Sequence, residues 1–156
     1  MGLTGKSDEG ISIEVFDCPS DGTGQRNNRR SAPEALKALE LLGSADDSTS
    51  IAILTPYKNQ VKLIRDKLRS ANLEENVDVL NTHKAQGREW DWVIFSVVDD
   101  GRKNGPWFTD STNSQGCAVL NTTISRAKSR LTLLLHKDFW NRRDCLIGEL
   151  TKTFSK

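Results

Sequence analysis

Ile51-Ala52-Ile53-Leu54-Thr55-Pro56-Tyr57-Lys58-Asn59-Gln60 passes from one kind of periodicity to another within ten residues. Ile51 to Leu54 is a continuous apolar run bounded by polar residues, the pattern of a strand covered on both faces. Thr55-Pro56 then combines a side-chain N-cap with proline at the first helical position. Tyr57, Val61, Ile64 and Leu68 recur at helical spacing and predict one buried helix face. The opposite face holds Lys58, Lys62, Arg65, Lys67 and Arg69 against Asp66 alone, a basic stripe.

The same alternation extends in both directions. Upstream, Ile11 to Phe16 alternates apolar and polar residues and predicts a strand. Residues 1–10 are small and polar and read as a flexible lead-in. Pro19 to Arg30 is a loop by composition, ending in the basic cluster Arg26, Arg29 and Arg30. Ser31 and Glu34 have capping-box spacing, Ala35, Leu36, Leu39 and Leu42 follow at helical intervals, and Gly43 closes the helix. Downstream, Val77 to Leu80 and Trp92 to Val98 read as buried strands, with Trp90 and Trp92 as packing residues. Residues 99–116 form a long loop holding Trp107 and Phe108, side chains able to stack on a base or plug the domain surface. Residues 118–128 predict a helix with Leu120, Ile124 and Ala127 inward, and Leu131 to Leu135 predicts another buried strand. From Phe139 the chain reads as helical, with Leu146, Ile147, Leu150 and Phe154 facing in. Alternating strands and helices with short buried runs predict an α/β domain, an open, mostly parallel sheet with helices on both faces. Working residues in such sheets lie beyond the strand ends, here Thr55, Asn81-Thr82, Asp99-Asp100 and His136.

Composition agrees with one domain. The 156 residues are 36% hydrophobic and 28% charged, as in ordinary soluble domains. Lys and Arg number 22 against 21 Asp and Glu, so the net charge of +1 excludes a polybasic, histone-like protein. The near-zero total hides two basic segments, 57–69 and 118–156. No apolar run approaches the roughly 20 residues that span a bilayer, and MGLTGKSDEG lacks the layout of a signal peptide. Cys18, Cys117 and Cys145 form no CxxC pair, which argues against a disulfide framework or zinc ribbon and for an intracellular, cytoplasmic or nuclear, location.

Three constellations could carry chemistry: Thr55 to Gln60, then Asn81-Thr82-His83-Lys84-Ala85-Gln86-Gly87-Arg88-Glu89, then Asn121 to Lys128. Arginine on a helix such as 118–128 can neutralise charge on a transferred phosphoryl group, being permanently charged and forked. Glycine lets backbone approach a phosphate, and an acidic residue nearby can accept from ribose hydroxyls. Thr82 follows a strand end, where a hydroxyl can meet a phosphate without reading sequence.

In these residues the chain resembles the C-terminal, second RecA-like motor domain of superfamily 1 DNA/RNA helicases, closest to the branch of the nonsense-mediated-decay RNA helicase. Ile53 to Gln60 resembles the family's motif IV, ITPYxxQ, with Leu54 substituted. Gln86-Gly87-Arg88-Glu89 resembles the QGxE core of motif V. Ala118 to Lys128 resembles motif VI, RRLNVALTRAR, with Ala118 and Val119 where relatives carry arginines, Thr122-Thr123 for Val-Ala and Ser125 for Thr. The resemblance covers residues 11–140, and the three motifs occur in the family's order.

The resemblance implies a P-loop NTPase, RecA-like fold over residues 11–156, without its own P-loop. It makes Arg126 the arginine finger. It places Gln86, Gly87 and Glu89, with Tyr57 and Gln60, on the nucleotide side, and Thr55, Thr82 and His83 on single-stranded DNA or RNA. No GxxxxGK[ST] is present; Gly5-Lys6-Ser7 only ends like one, and no apolar strand ends in an Asp-Glu pair for magnesium. The resemblance assigns ATP and Mg2+ mainly to a first RecA-like domain of the same polypeptide, so this domain is expected to be inactive as an ATPase alone. A competing expectation is a non-enzymatic nucleic-acid-binding module with a degenerate motor fold, resting on the basic stripe and altered motif VI. An unrelated small-molecule enzyme would need a nucleophile–base pair or metal constellation, and none is evident.

Overall fold

Successive residues of a strand point to opposite faces, and in the central strands of this chain both faces are apolar. That composition requires cover on each side. The computed structural model describes residues 11–19, 30–99 and 114–154. The lead-in 1–10, Arg26, Arg29, Trp107 and Phe108 lie outside the described residues.

Five strands, β1 (Ser12–Asp17), β2 (Ile51–Thr55), β3 (Val77–Asn81), β4 (Trp90–Ser96) and β5 (Ala127–Leu135), form one sheet in the order β1-β5-β4-β2-β3. Every pairing is parallel. Helices α1 (Ala32–Leu42) and α2 (Lys58–Ser70) pack on one face. There Ala35, Ala38, Ile64 and Leu68 meet Ile51, Ile53, Trp92 and Ile94. Helices α3 (Ser114–Ser125), α4 (Lys137–Trp140) and α5 (Leu146–Phe154) lie on the other. Val119, Leu120, Trp140 and Ile147 there meet Ala52, Leu54, Val93 and Phe95. No helix among the described residues is long and apolar enough to cross a membrane.

Several boundaries differ from the sequence reading, each for a local reason. Helix α2 starts at Lys58 with Tyr57 as a cap that makes no side-chain capping bond. Thr55 stays in β2, paired with Asn81, in the extended conformation that a following proline favours. Leu36 is 55% exposed, and Ala38 takes the inward position instead. Gly43 caps α1 at φ −62, an ordinary right-handed conformation. Strand β4 starts at Trp90 rather than Trp92, and β5 at Ala127 rather than Leu131. Ala127 pairs with Trp90, so it is a strand residue and not the last inward residue of a helix. The C-terminal helical stretch is broken between Trp140 and Leu146.

The capping box at Ser31 is half formed. Ser31 Oγ accepts from Glu34 N at 3.3 Å, but Ser31 N donates to Gln60 Oε1 at 2.7 Å. Glu34, 1% exposed, turns inward and accepts from Ser96 Oγ at 2.6 Å and Val98 N at 3.0 Å.

Candidate functional site

The candidate residues fall into two groups, one at each end of the sheet. After β3 the chain makes a 3-10 turn, Thr82–Ala85, and then runs back to the start of β4. Gln86, Gly87, Arg88 and Glu89 are exposed along this return. Gly87 has φ +77, and a Cβ there would meet nothing within 4 Å. Backbone conformation, not space, therefore favours glycine. Arg88 is 3.0 Å from Asp78 Oδ2 and lies over the Trp90 ring at 4.8 Å.

Arg126 is the single turn residue between α3 and β5, so it is not on the helix the sequence predicts. The helix ends at Ser125 because Arg126 O accepts from Trp90 N at 2.9 Å, which starts the β4–β5 ladder. Its guanidinium is held by neutral acceptors: Nη1 donates to Arg88 O at 3.2 Å, and Nη2 and Nε donate to Ser125 Oγ at 3.0 and 3.3 Å. The neighbouring cations are differently occupied. Arg130 bonds Glu14 at 2.6 Å and lies 3.9 Å over the Trp92 ring. Lys128 is 3.8 Å from Asp91, whose carboxyl the Ser50 N–H holds below the usual carboxylate range, with Lys128 adding to the effect. Arg126 has no carboxylate partner among the described residues, and exposed Glu89 beside it has no ion pair or hydrogen bond there. Half-buried Arg126 and exposed Glu89 thus set a forked cation beside a carboxylate at this end of the sheet. Among the described residues, no three or more His, Cys, Asp or Glu side chains gather into a metal site.

The second group lies where β2, β3 and β4 end, roughly 20 Å away along β4. Tyr57 and Gln60 are here, so the structure does not bring them to Gln86, Gly87 and Glu89. Both are buried. Gln60 Nε2 donates to Ser31 O and Ser96 Oγ, each at 3.0 Å. Tyr57 Oη donates to Asp99 Oδ2 at 2.6 Å, and Trp140 Nε1 donates to Asp99 O at 2.8 Å. Between them Val98 has φ 71, and Asp99 N donates to Val97 O at 2.8 Å, a tight three-residue turn. Glu34, Ser96 and Asp99 form this network. The only sequence signals were Asp99 at a strand end and the Ser31–Glu34 spacing.

Thr55 and Thr82 are fully buried, and Thr82 Oγ1 has no hydrogen-bond partner among the described residues. His83 is exposed, its N–H donating to Asn81 Oδ1 at 2.9 Å. Asn81 Nδ2 donates to Pro56 O at 3.1 Å, tying the exit of β3 to that of β2. An open groove of about 670 Å³ lies between α2 and this turn, with His83 on its wall.

An all-parallel sheet covered on both faces, with Arg126 at the α3–β5 turn beside a Gln-Gly-Arg-Glu loop, agrees with the second RecA-like, C-terminal domain of a superfamily 1 helicase that the motifs resemble, and the comparisons bear this out. A family model described as an AAA domain matches residues 15–138, and the chain belongs to that family. Among curated proteins it is 33% identical over 94 residues to the DNA polymerase alpha-associated DNA helicase A of Schizosaccharomyces pombe, covering 60% of this chain and 13% of that protein. It is 31% identical over 90 residues to the probable helicase MAGATAMA 3 of Arabidopsis thaliana, covering 56% of this chain and 10% of that protein. It is 30% identical over 95 residues to the DNA replication ATP-dependent helicase/nuclease JHS1 of the same plant, covering 61% and 7%. The matched region is thus a small part of each relative. A crystal structure of the C-terminal domain of a possible DNA helicase from Lactobacillus plantarum WCFS1 superimposes with a TM-score of 0.58 at 18% identity, covering 83% of this chain and 76% of that one. It shares the fold.

Proposed function

We propose that residues 11–156 act as the second motor domain of an ATP-dependent helicase or translocase, working inside the cell beside a first RecA-like domain of the same polypeptide. The observation that carries this reading is Arg126, a guanidinium held in place by Arg88 O and Ser125 Oγ and without a carboxylate partner among the described residues. Held so, it needs little reordering to reach a phosphate across a domain cleft. ATP with Mg2+, bound mainly by the first domain, would supply the phosphoryl group and its metal. Arg126 would donate to the phosphoryl oxygens as an arginine finger, Glu89 would accept from the ribose hydroxyls, and Gly87 would keep the Gln86–Glu89 loop in its left-handed turn.

The strand ends of β2 and β3 would carry single-stranded DNA or RNA. His83 offers a side chain there, while Thr55 and Thr82 shape the turns from beneath. Tyr57 and Gln60 would act from inside the domain, holding the β4 exit and the start of α1 in register with α2.

The test uses the polypeptide that carries both domains. Arg126→Ala is expected to lower strand-stimulated ATP turnover by about 10³ or more while strand binding stays near wild type. Full turnover by Arg126→Ala would remove the finger from Arg126. No turnover in the unmodified polypeptide would favour the non-enzymatic binding module.

A further inference from the structure

The carbonyl that holds the Arg126 guanidinium belongs to a residue whose own side chain is tied elsewhere. Arg126 meets the segment 88–90 twice: Nη1 donates to Arg88 O at 3.2 Å, and Arg126 O accepts from Trp90 N at 2.9 Å. The side chains of the same two residues converge on one atom. Arg88 Nη2 and Trp90 Nε1 donate to Asp78 Oδ2 at 3.0 and 2.8 Å. The Arg88 guanidinium also lies 4.8 Å over the Trp90 ring, so cation, ring and carboxylate brace one another. Residues 88–90 are therefore held between Arg126 on one side and Asp78 on the other.

Asp78 reaches them although β2 lies between β3 and β4. It pairs with Ala52 of β2, and Ala52 pairs with Val93 of β4. Ala52 and Trp90 are both buried in the core of the same sheet face. An alanine at that position leaves room for the indole to extend towards β3. The backbone alone fixes the Arg88 carbonyl poorly. Gly87 precedes it at φ +77, and glycine exchanges between conformations at little cost. The side chains of Arg88 and Asp78 are 49% and 47% exposed, and an ion pair so exposed contributes little to stability. Its consequence is orientation.

We infer that Asp78 is a positioning residue for Arg126. By holding the Arg88 and Trp90 side chains it sets the direction of the Arg88 carbonyl, and that carbonyl aims the guanidinium at the transferred phosphoryl group. The role of Arg126 rests on the motor-domain reading; the chain of bonds from Asp78 to Arg126 does not.

The test measures strand-stimulated ATP turnover by the polypeptide that carries both domains. Asp78→Ala is expected to lower kcat about tenfold or more, as a small misplacement of a catalytic group does. The KM for ATP should stay within about twofold, because the lost interaction is one made in the transition state. In the Arg126→Ala background the same substitution should change turnover by less than about twofold, since residues that act as a unit are not additive. Asp78→Asn keeps the shape and an acceptor, and should lose less than Asp78→Ala. Glu40→Ala opens the exposed 3.1 Å pair with Lys37 on α1, and should stay within about twofold of wild type. The thermal midpoint of the 156-residue chain should fall by no more than about 4 °C in either Asp78 variant. Wild-type kcat in both Asp78 variants, beside a large loss in Arg126→Ala, would overturn the positioning role and leave the finger standing. So would a loss of undiminished size in the Arg126→Ala background, the mark of a general weakening of the fold. Full turnover by Arg126→Ala would overturn the finger and this role with it.

Discussion

The Tyr57 hydroxyl donates a 2.6 Å hydrogen bond to the Asp99 carboxylate across 42 positions of sequence. It fastens the N-cap of α2 to the exit of β4, and Trp140 Nε1 holds the same residue through its carbonyl at 2.8 Å. Elements from both faces of the sheet therefore meet at Asp99, which is 2% exposed. Tyr57→Phe keeps the ring and removes the donor. A buried hydrogen bond to a charged acceptor contributes about 2 kcal/mol, so urea unfolding should show a loss of that size with an unchanged m-value. A stability within 0.5 kcal/mol of wild type, on the order of a neutral surface change, would mean that the hydroxyl contributes nothing there.

Val98 has φ 71 and is 1% exposed. A β-branched residue in left-handed backbone costs roughly 1–3 kcal/mol. Val98→Ala loses burial while its Cβ keeps the strain. Val98→Gly loses slightly more burial and relieves the strain. The expected order is unusual for a buried position: the glycine variant should unfold at a denaturant concentration equal to or above that of the alanine variant. The opposite order would show that the turn relaxes without help.

The alternation of strands and helices was legible because strands covered on both faces are continuous apolar runs, as at Ile51–Leu54 and Leu131–Leu135. The start of β5 was not. Ala127-Lys128-Ser129-Arg130 looks polar, and it is a strand because Ala127 and Arg130 pair with Trp90 and Trp92. The Arg130 head reaches Glu14, 116 positions away, which no local pattern announces. Motif order was equally legible, but the end of the sheet to which each motif belongs was not. The Gln86–Glu89 segment runs from the exit of β3 back to the entry of β4, so it joins Arg126 and leaves Tyr57 and Gln60 behind. Their burial was hidden too, because Ser96 and Asp99 lie 36 and 42 positions from their partners.

Gly148 lies inside α5, where glycine to alanine ordinarily gains roughly 0.5–1 kcal/mol. Here a Cβ would lie 2.1 Å from Arg143 O and 2.8 Å from Trp140 O. Both atoms are backbone, and the Trp140 side chain is fully buried and bonded to Asp99, so the turn before α5 cannot yield locally. Gly148→Ala should cost about 3 kcal/mol through forced displacement of the helix. That corresponds to a fall of about 10 °C in the thermal midpoint. An unchanged or raised midpoint would show that α5 shifts without cost.

Cys18 follows β1, 4% exposed, with its N–H donating to Leu135 O at 2.7 Å. Burial, and then the negative charges of Glu34 and Asp17, push its thiol from 9.0 up to about 12. The folded state therefore keeps the proton at pH values where the unfolded chain releases it. The stability linked to this group is fully present below pH 9 and is lost as pH rises from there towards 12. The slope is about 1.4 kcal/mol per pH unit for one proton. Lysine and tyrosine titrations overlap this range, so the informative quantity is a difference. Unfolding free energies of the wild type minus those of Cys18→Ala, taken at pH 8, 9, 10 and 11, should be flat up to 9 and fall with that slope above it. A difference that stays constant to pH 11 would mean that the thiol ionises alike in the folded and unfolded chain.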